Sequence, residues 1–242
     1  MNNNFNIFSN KNEGFAAAAG FFCDCAAAAV RESGFFTVAL SGGETPDRLF
    51  ELLATEYRDR IEWDKGHFFW VDERCVPPDS GLSNYGRAVR LLLANVPVPP
   101  PNIHRIETGK ELAAEDYDLL LRNYEMMRRT SEGVPVFDII LLGLGQDGHT
   151  ASLFPGSDSL QENRRLAIMV PPPVTALPAV ARVTLTLPVL NSAANLFFLV
   201  SGHEKLKLAE YISDGGSPLK YPAQLIRPTA KPPEWFVCGL NG

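Results

Sequence analysis

The sequence predicts a single α/β domain: a mostly parallel sheet with helices on both faces and a small antiparallel elaboration near residues 166–190. Three observations carry that expectation. The runs FFTVAL (35–40), HFFWVD (67–72), VFDIILLGLG (136–145) and NLFFLVSG (195–202) are nearly continuous in apolar residues, as strands buried on both faces are. Stretches of helical character separate them, which is the alternation of a parallel sheet. Two of the runs end in glycine turns, where open α/β sheets place their ligands.

Taken in order, the polar opening MNNNFNIFSN is expected to fray, so residues 1–12 are left outside the fold. Residues 12–33 read as an Ala-rich helix with Phe15, Phe21, Phe22 and Val30 available to pack. The strand at 35–40 stops at Ser41-Gly42-Gly43, and Thr45-Pro46 opens the next helix, a proline being suited to a first helical position. The strand at 67–72 runs into a loop of prolines and charges. A helix at 83–94, a Pro-rich connector at 96–101, the segment 103–106 and a long helix over 111–131 follow. After the strand at 136–145 come strands at 166–170, 182–188 and 195–202, a helix at 203–213 and a last strand at 234–239. No internal repeat occurs, and the Pro clusters at 97–101, 171–173 and 231–233 are short enough to be loops. At about 150 residues per domain, 242 residues fall between one large domain and two small ones, and the absence of a linker favours one over 1–242.

Composition narrows the function. With 45% hydrophobic and 21% charged residues the chain is an ordinary globular protein. Its 22 Lys+Arg against 28 Asp+Glu leave a net charge of −6, the wrong sign for nucleic acid, so an anionic ligand would need a local cationic cluster. Four cysteines are too few and scattered for a disulfide scaffold. Cys23-Asp24-Cys25 is half a metal site without a second pair, so buried thiols and no metal are expected. Residues 14–30 resemble a secretory apolar region, but Asp24 interrupts them and no basic stretch precedes them. No uncharged apolar run reaches 18 residues, so no membrane span is expected, and the expected location is cytoplasmic.

Gly143-Leu144-Gly145-Gln146-Asp147-Gly148 fits the dinucleotide pattern G-x-G-x-x-G. Pro155 leaves no room for the helix that should follow, and the next strand ends in prolines where an acidic residue should bind ribose. A tight turn is the better reading, and it sets Asp147 beside His149. A histidine is a general base near neutral pH and a carboxylate can orient it. A lone histidine is more often satisfied by backbone; the glycine turn and the aspartate favour function here. His67, His104 and His203 have no such company. Ser41-Gly42-Gly43 lies between a strand and a helix start, where backbone N–H groups and the helix dipole suit an anion; a plain turn fits equally well. A degenerate nucleophile elbow with Ser41 attacking and His149 as base is a rival reading, weakened by the missing first glycine. Asp72-Glu73-Arg74 follows the second strand, and Arg74 with Arg182 and Lys205 would supply the cationic cluster.

The segments ALSGGETP (39–46), FFWVDERCVPPD (68–79) with Ser83-Asn84-Tyr85, and FDIILLGLGQDGHTASLFPG (137–156) resemble the 6-phosphogluconolactonases, a group within the glucosamine/galactosamine-6-phosphate isomerase superfamily. Arg182-Val183-Thr184 with Pro188, and Gly202-His203-Glu204-Lys205, fit in the same order, so the likeness covers residues 14–240. Glu44 departs from it, the family often having Ser there. The resemblance implies a Rossmann-like sheet of the isomerase/deaminase/CoA-transferase type. It also implies hydrolysis of 6-phospho-D-glucono-1,5-lactone to 6-phosphogluconate, in the oxidative pentose phosphate pathway, without a cofactor. On that basis His149 is the expected base and Asp147 its partner. Ser41, Gly42, Gly43, Arg74, Arg182 and Lys205 are expected on the phosphate, with one cation facing the oxyanion, and Asp72 and Glu73 shape the pocket or meet sugar hydroxyls. Two alternatives stay open: a phosphosugar isomerase or deaminase using Asp72 and His149, and a silent phosphosugar-binding regulator.

Overall fold

In the computed structural model, which describes residues 4–173, 177–216 and 219–239, the strands fall into two main sheets. Strands β1 (Phe5–Phe8), β2 (Phe36–Leu40), β3 (Gly66–Trp70), β7 (Ile139–Leu142), β10 (Leu196–Ser201) and β11 (Glu234–Cys238) form a six-stranded sheet in the order β1-β11-β10-β7-β2-β3. Every neighbouring pair in it is parallel. Strands β4 (Asp72–Arg74), β8 (Ala167–Val170) and β9 (Arg182–Leu185) make the antiparallel sheet β4-β9-β8 expected near 166–190. Strands β5 (Arg128–Arg129) and β6 (Pro135–Val136) form a two-residue hairpin ladder. The helices are α1 (Lys11–Ser33), α2 (Asp47–Ala54), α3 (Asn84–Leu91), α4 (Ala113–Asn123), α5 (Leu187–Asn191) and α6 (Leu206–Ser213).

Helix α1 begins where the Asn10 side chain accepts the Asn12 N–H and ends at Gly34, whose φ of 81° only a glycine adopts cheaply. It is long and apolar enough to cross a membrane, with a mean hydropathy of 1.3. Its Phe15, Ala18, Ala19, Phe22 and Ala26 are instead buried in the core of this fold. That core is continuous: Phe36, Phe68 and Phe197 of the parallel sheet belong to the same cluster as Val183 and Leu185 of β9.

Several boundaries differ from expectation. The first residues do not all fray, because Phe5–Phe8 pair in parallel with β11, Phe5 packing on Trp235 at 5.9 Å and Phe8 on Phe236 at 6.4 Å. Three apolar side chains among asparagines were enough to hold an edge strand. The run 67–72 divides at Val71, whose N–H bonds Leu40 O while its carbonyl accepts from Leu185, so the chain passes from one sheet to the other. The helix expected over 111–131 stops at Asn123. There Arg129 Nη2 donates to the carbonyls of Leu121, Arg122 and Tyr124, and Tyr124 turns inward to place its hydroxyl 2.7 Å from His67 Nδ1. The strand of 136–145 is only Ile139–Leu142: Asp138 before it is spent on the Thr37 N–H and hydroxyl, and the glycines after it turn away. Likewise β9 ends at Leu185, and Leu187-Pro188 begin α5.

Candidate active site

The sheet order fixes where a ligand binds. From β2 the chain steps to β3 on one side, then crosses back to β7 on the other, so the topological switch point lies between β2 and β7. Parallel strands end on one edge, and a crevice opens outside the carboxyl ends at such a point. The turn after β2 (41–45) and the turn after β7 (143–149) face each other there. Together with Asp72, Arg74, Asn84, Arg182 and Lys205 they line a cleft of about 290 Å³.

The turn after β7 builds a base. Gly148 N–H bonds Gly145 O, Gly145 N–H bonds His149 O, and Gly148 holds a φ of 76°, so the chain doubles back within five residues. Asp147 Oδ1 then accepts both the backbone N–H of His149, at 3.1 Å, and its ring Nδ1, at 2.5 Å. An ionised carboxylate only accepts, so Nδ1 carries the proton and Nε2 is left with the lone pair. Gly145 is required by space: a Cβ there would sit 2.1 Å from His149 Nδ1 and 2.8 Å from Asp147 Oδ1. Thr150 Oγ1 ties the turn back to Gly143 O at 2.9 Å.

Opposite the base the cleft is cationic. Arg182 is buried and lies across from Asp72, its Nη1 3.9 Å from Oδ2; its Nη2 donates to Pro178 O. Burial pulls the Arg182 guanidinium below its ordinary value while Asp72 holds it up, and an arginine stays charged through such a shift. Arg74 Nη1 donates to Leu82 O, and the Nε atoms of both arginines are buried without a hydrogen-bond partner among the described residues. Lys205 stands at the start of α6 with no ion-pair partner among the described residues.

The carboxylates divide between wall and scaffold. Asp72 lines the cleft, but its oxygens accept from Asn84 Nδ2 at 3.2 Å and Ser152 Oγ at 2.5 Å, which makes it the counter-charge of Arg182. Glu73, expected in the pocket, is not among the residues lining it. Its carboxylate is consumed by the N–H groups of Arg74, Asn84 and Tyr85 and by Ser83 Oγ, so it anchors the start of α3; burial pushes its carboxyl up and those four donors draw it back. Ser41 and His149 share no hydrogen bond among the described residues, and His149 Nδ1 is taken by Asp147, so the elbow reading gains nothing from the geometry.

Ser41, Gly42 and Gly43 form the other wall, Gly43 with a φ of 87° and Gly42 so close to Asn84 that a Cβ would fall inside its side chain. Pro46 sits one position before the α2 helix rather than inside it. Glu44 faces the cleft from this turn, bringing a negative charge to it. Sequence reasoning missed Asn84, Thr45 and Thr150. Asn84 follows Ser83, the N-cap of α3, in a helix-start pattern whose place beside Gly42 depends on the fold. His67 and His104 are structural: His67 meets Tyr124, and His104 stacks on Phe69 at 4.4 Å. Among the described residues no three His, Cys, Asp or Glu side chains gather as a metal site.

A family model described as glucosamine-6-phosphate isomerases/6-phosphogluconolactonase matches residues 9–235. The chain is 39% identical over 198 residues to 6-phosphogluconolactonase 3, chloroplastic, of Arabidopsis thaliana, an alignment that takes in 79% of this chain and 60% of that protein. It is 41% identical over 198 residues to the probable 6-phosphogluconolactonase 2 of the same plant, covering 78% of this chain and 76% of the relative. The crystal structure of 6-phosphogluconolactonase from Leishmania guyanensis superposes with a TM-score of 0.87 at 27% identity, over 99% of this chain and 98% of that one.

Proposed function

Because the chain belongs to the glucosamine-6-phosphate isomerase/6-phosphogluconolactonase family, we propose that it hydrolyses 6-phospho-D-glucono-1,5-lactone to 6-phosphogluconate, with His149 as general base. The observation that carries this reading is the Asp147–His149 pair on the β7 turn, facing Arg74, Arg182 and Lys205 across one cleft. Water bound in the cleft gives a proton to His149 Nε2 as its oxygen adds to the lactone carbonyl. The tetrahedral oxyanion then expels the ring oxygen, which takes the proton back from the imidazolium, leaving the open-chain acid. Asp147 holds the ring in the tautomer this requires and stabilises its charged form. The cations divide two tasks: some hold the 6-phosphate with the N–H groups of the Ser41–Gly43 turn, and one faces the oxyanion. Ester hydrolysis transfers no electrons, so the chemistry calls for no redox cofactor. The four free thiols fit a reducing compartment, with which the cytoplasmic expectation agrees.

The family's description covers two chemistries, so the test presents both substrates. Given the lactone, formed in situ by a dehydrogenase, the protein accelerates appearance of 6-phosphogluconate above the spontaneous rate. Given glucosamine 6-phosphate, it releases no ammonia. Ammonia release with no gain on the lactone would transfer the assignment to the isomerase/deaminase branch. Binding of 6-phosphogluconate without turnover of either would leave a phosphosugar-binding regulator.

A further inference from the structure

His149 carries a second constraint. The Nδ1 bond to Asp147 fixes one edge of the imidazole, yet the χ2 torsion of a histidine is broad, so one hydrogen bond leaves the ring plane free to tilt and Nε2 free to swing. Something else must set that plane.

The chain after His149 supplies it. Thr150 and Leu153 pair as an antiparallel bridge, Leu153 N–H donating to Thr150 O at 3.0 Å, and Ala151 inside this turn has a φ of 49°, the one positive value outside glycine among the described residues. A left-handed alanine is strained. The strain is held in place by Ser152, fully buried, whose N–H donates to Thr184 Oγ1 at 3.1 Å and whose hydroxyl donates to Asp72. The bridge makes residues 149 and 154 the next facing pair. The Phe154 ring accordingly lies 4.8 Å from the His149 ring, tilted by 45°. The Arg182 guanidinium rests over the same phenyl ring, 5.4 Å from its centre. Phe154 does not belong to the main core; with Ile168 and Val170 it forms a separate small cluster on the antiparallel sheet.

We propose that Phe154 is a positioning residue for the reaction. Its ring is the stop against which the His149 imidazole comes to rest, and the seat on which the Arg182 guanidinium is held, so one phenyl group sets the relative placement of base and cation. The proposal rests on the hydrolytic reading above for its kinetic consequence, but not for its structural one.

The test uses Phe154→Leu, which keeps most of the volume and removes the ring; Phe154→Tyr, which keeps the ring; and Val170→Ala, which loosens the same cluster and leaves the Phe154 ring in place. In F154L, kcat for the lactone falls roughly tenfold or more, as misplacement of a catalytic group by a fraction of an ångström does, while KM stays within about twofold. F154Y restores most of kcat. V170A melts at a lower temperature with kcat kept. Independently of turnover, proton NMR of the His149 ring, assigned by its loss in His149→Gln, shows a ring-current shift in the wild type and F154Y that disappears in F154L. An unchanged His149 resonance in F154L overturns the proposal, as does an equal loss of kcat in F154L and V170A. A wild-type protein without lactonase activity would instead overturn the hydrolytic reading, with the NMR arm still deciding the role of Phe154.

Discussion

Replacing Asp72 by Asn isolates the electrostatics of the cleft. The side chains of Asp72 and Arg182 are 6% and 3% exposed, with 3.9 Å between their nearest charged atoms. At an effective dielectric constant near 20 that separation is worth about 4 kcal/mol. Asparagine preserves the shape and can still accept from Asn84, but it removes the counter-charge and sets an amide group against the Ser152 hydroxyl. Orphaning one member of a buried pair costs about 3–5 kcal/mol; because the guanidinium borders an open cleft, about 2–3 kcal/mol is expected. For a chain of this size that is a fall in Tm of roughly 5–10 °C, read by calorimetry. The freed charge of Arg182 should then attract anions more strongly. Inorganic phosphate or 6-phosphogluconate raises the Tm of D72N by more than it raises that of the wild type, following mass action. A Tm within about 1 °C of the wild type, with the same response to phosphate, would show that Asp72 does not balance Arg182.

Two further outcomes follow from local geometry. In Gly145→Ala the new Cβ occupies space now taken by His149 and Asp147; kcat drops by about two orders of magnitude or more, the range of a general base, while circular dichroism and Tm stay near wild type because the two side chains it displaces are not part of the core. His104 is held to about 4 by burial, with a smaller push from His67, so the unfolded chain, titrating near 6.5, takes up its proton first as pH falls. Stability from the neutral ring is intact above about pH 6.5 and erodes as pH drops toward 4. In His104→Phe, which keeps the stack on Phe69 and removes a buried unpaired Nε2, the fall in stability between pH 7 and 5 shrinks by on the order of 1 kcal/mol once the ring's partial exposure is allowed for. An identical pH profile in the two proteins would locate the acid sensitivity elsewhere.

The legible parts of the fold were those written in short range. Continuous apolar runs gave β2, β3, β7 and β10, and the glycine turns after β2 and β7 marked the two walls of the cleft before any strand order was known. Asp147 and His149 are readable as a pair because only Gly148 separates them on one turn. The anchoring role of Glu73 is hidden in the sequence because its partners, Ser83, Asn84 and Tyr85, lie ten or more residues away. Asn84 was passed over for the same reason. The end of α4 was invisible because helix propensity continues past Asn123, and what stops it is Arg129 folding back onto the carbonyls. The opening strand was discounted on composition, since the asparagines of the N-terminus conceal three apolar side chains that find their partners only in β11, at the far end of the chain.

The proposed reaction has His149 activating water against a lactone in this cleft. It is tested by following 6-phosphogluconate through its dehydrogenase, with wild type, His149→Ala and the uncatalysed lactone run side by side. Wild type should exceed the spontaneous rate, and H149A should fall by about two orders of magnitude or more with binding of 6-phosphogluconate retained. An H149A protein as fast as the wild type would contradict the assignment of the base, and a wild type no faster than the spontaneous reaction would contradict the function itself.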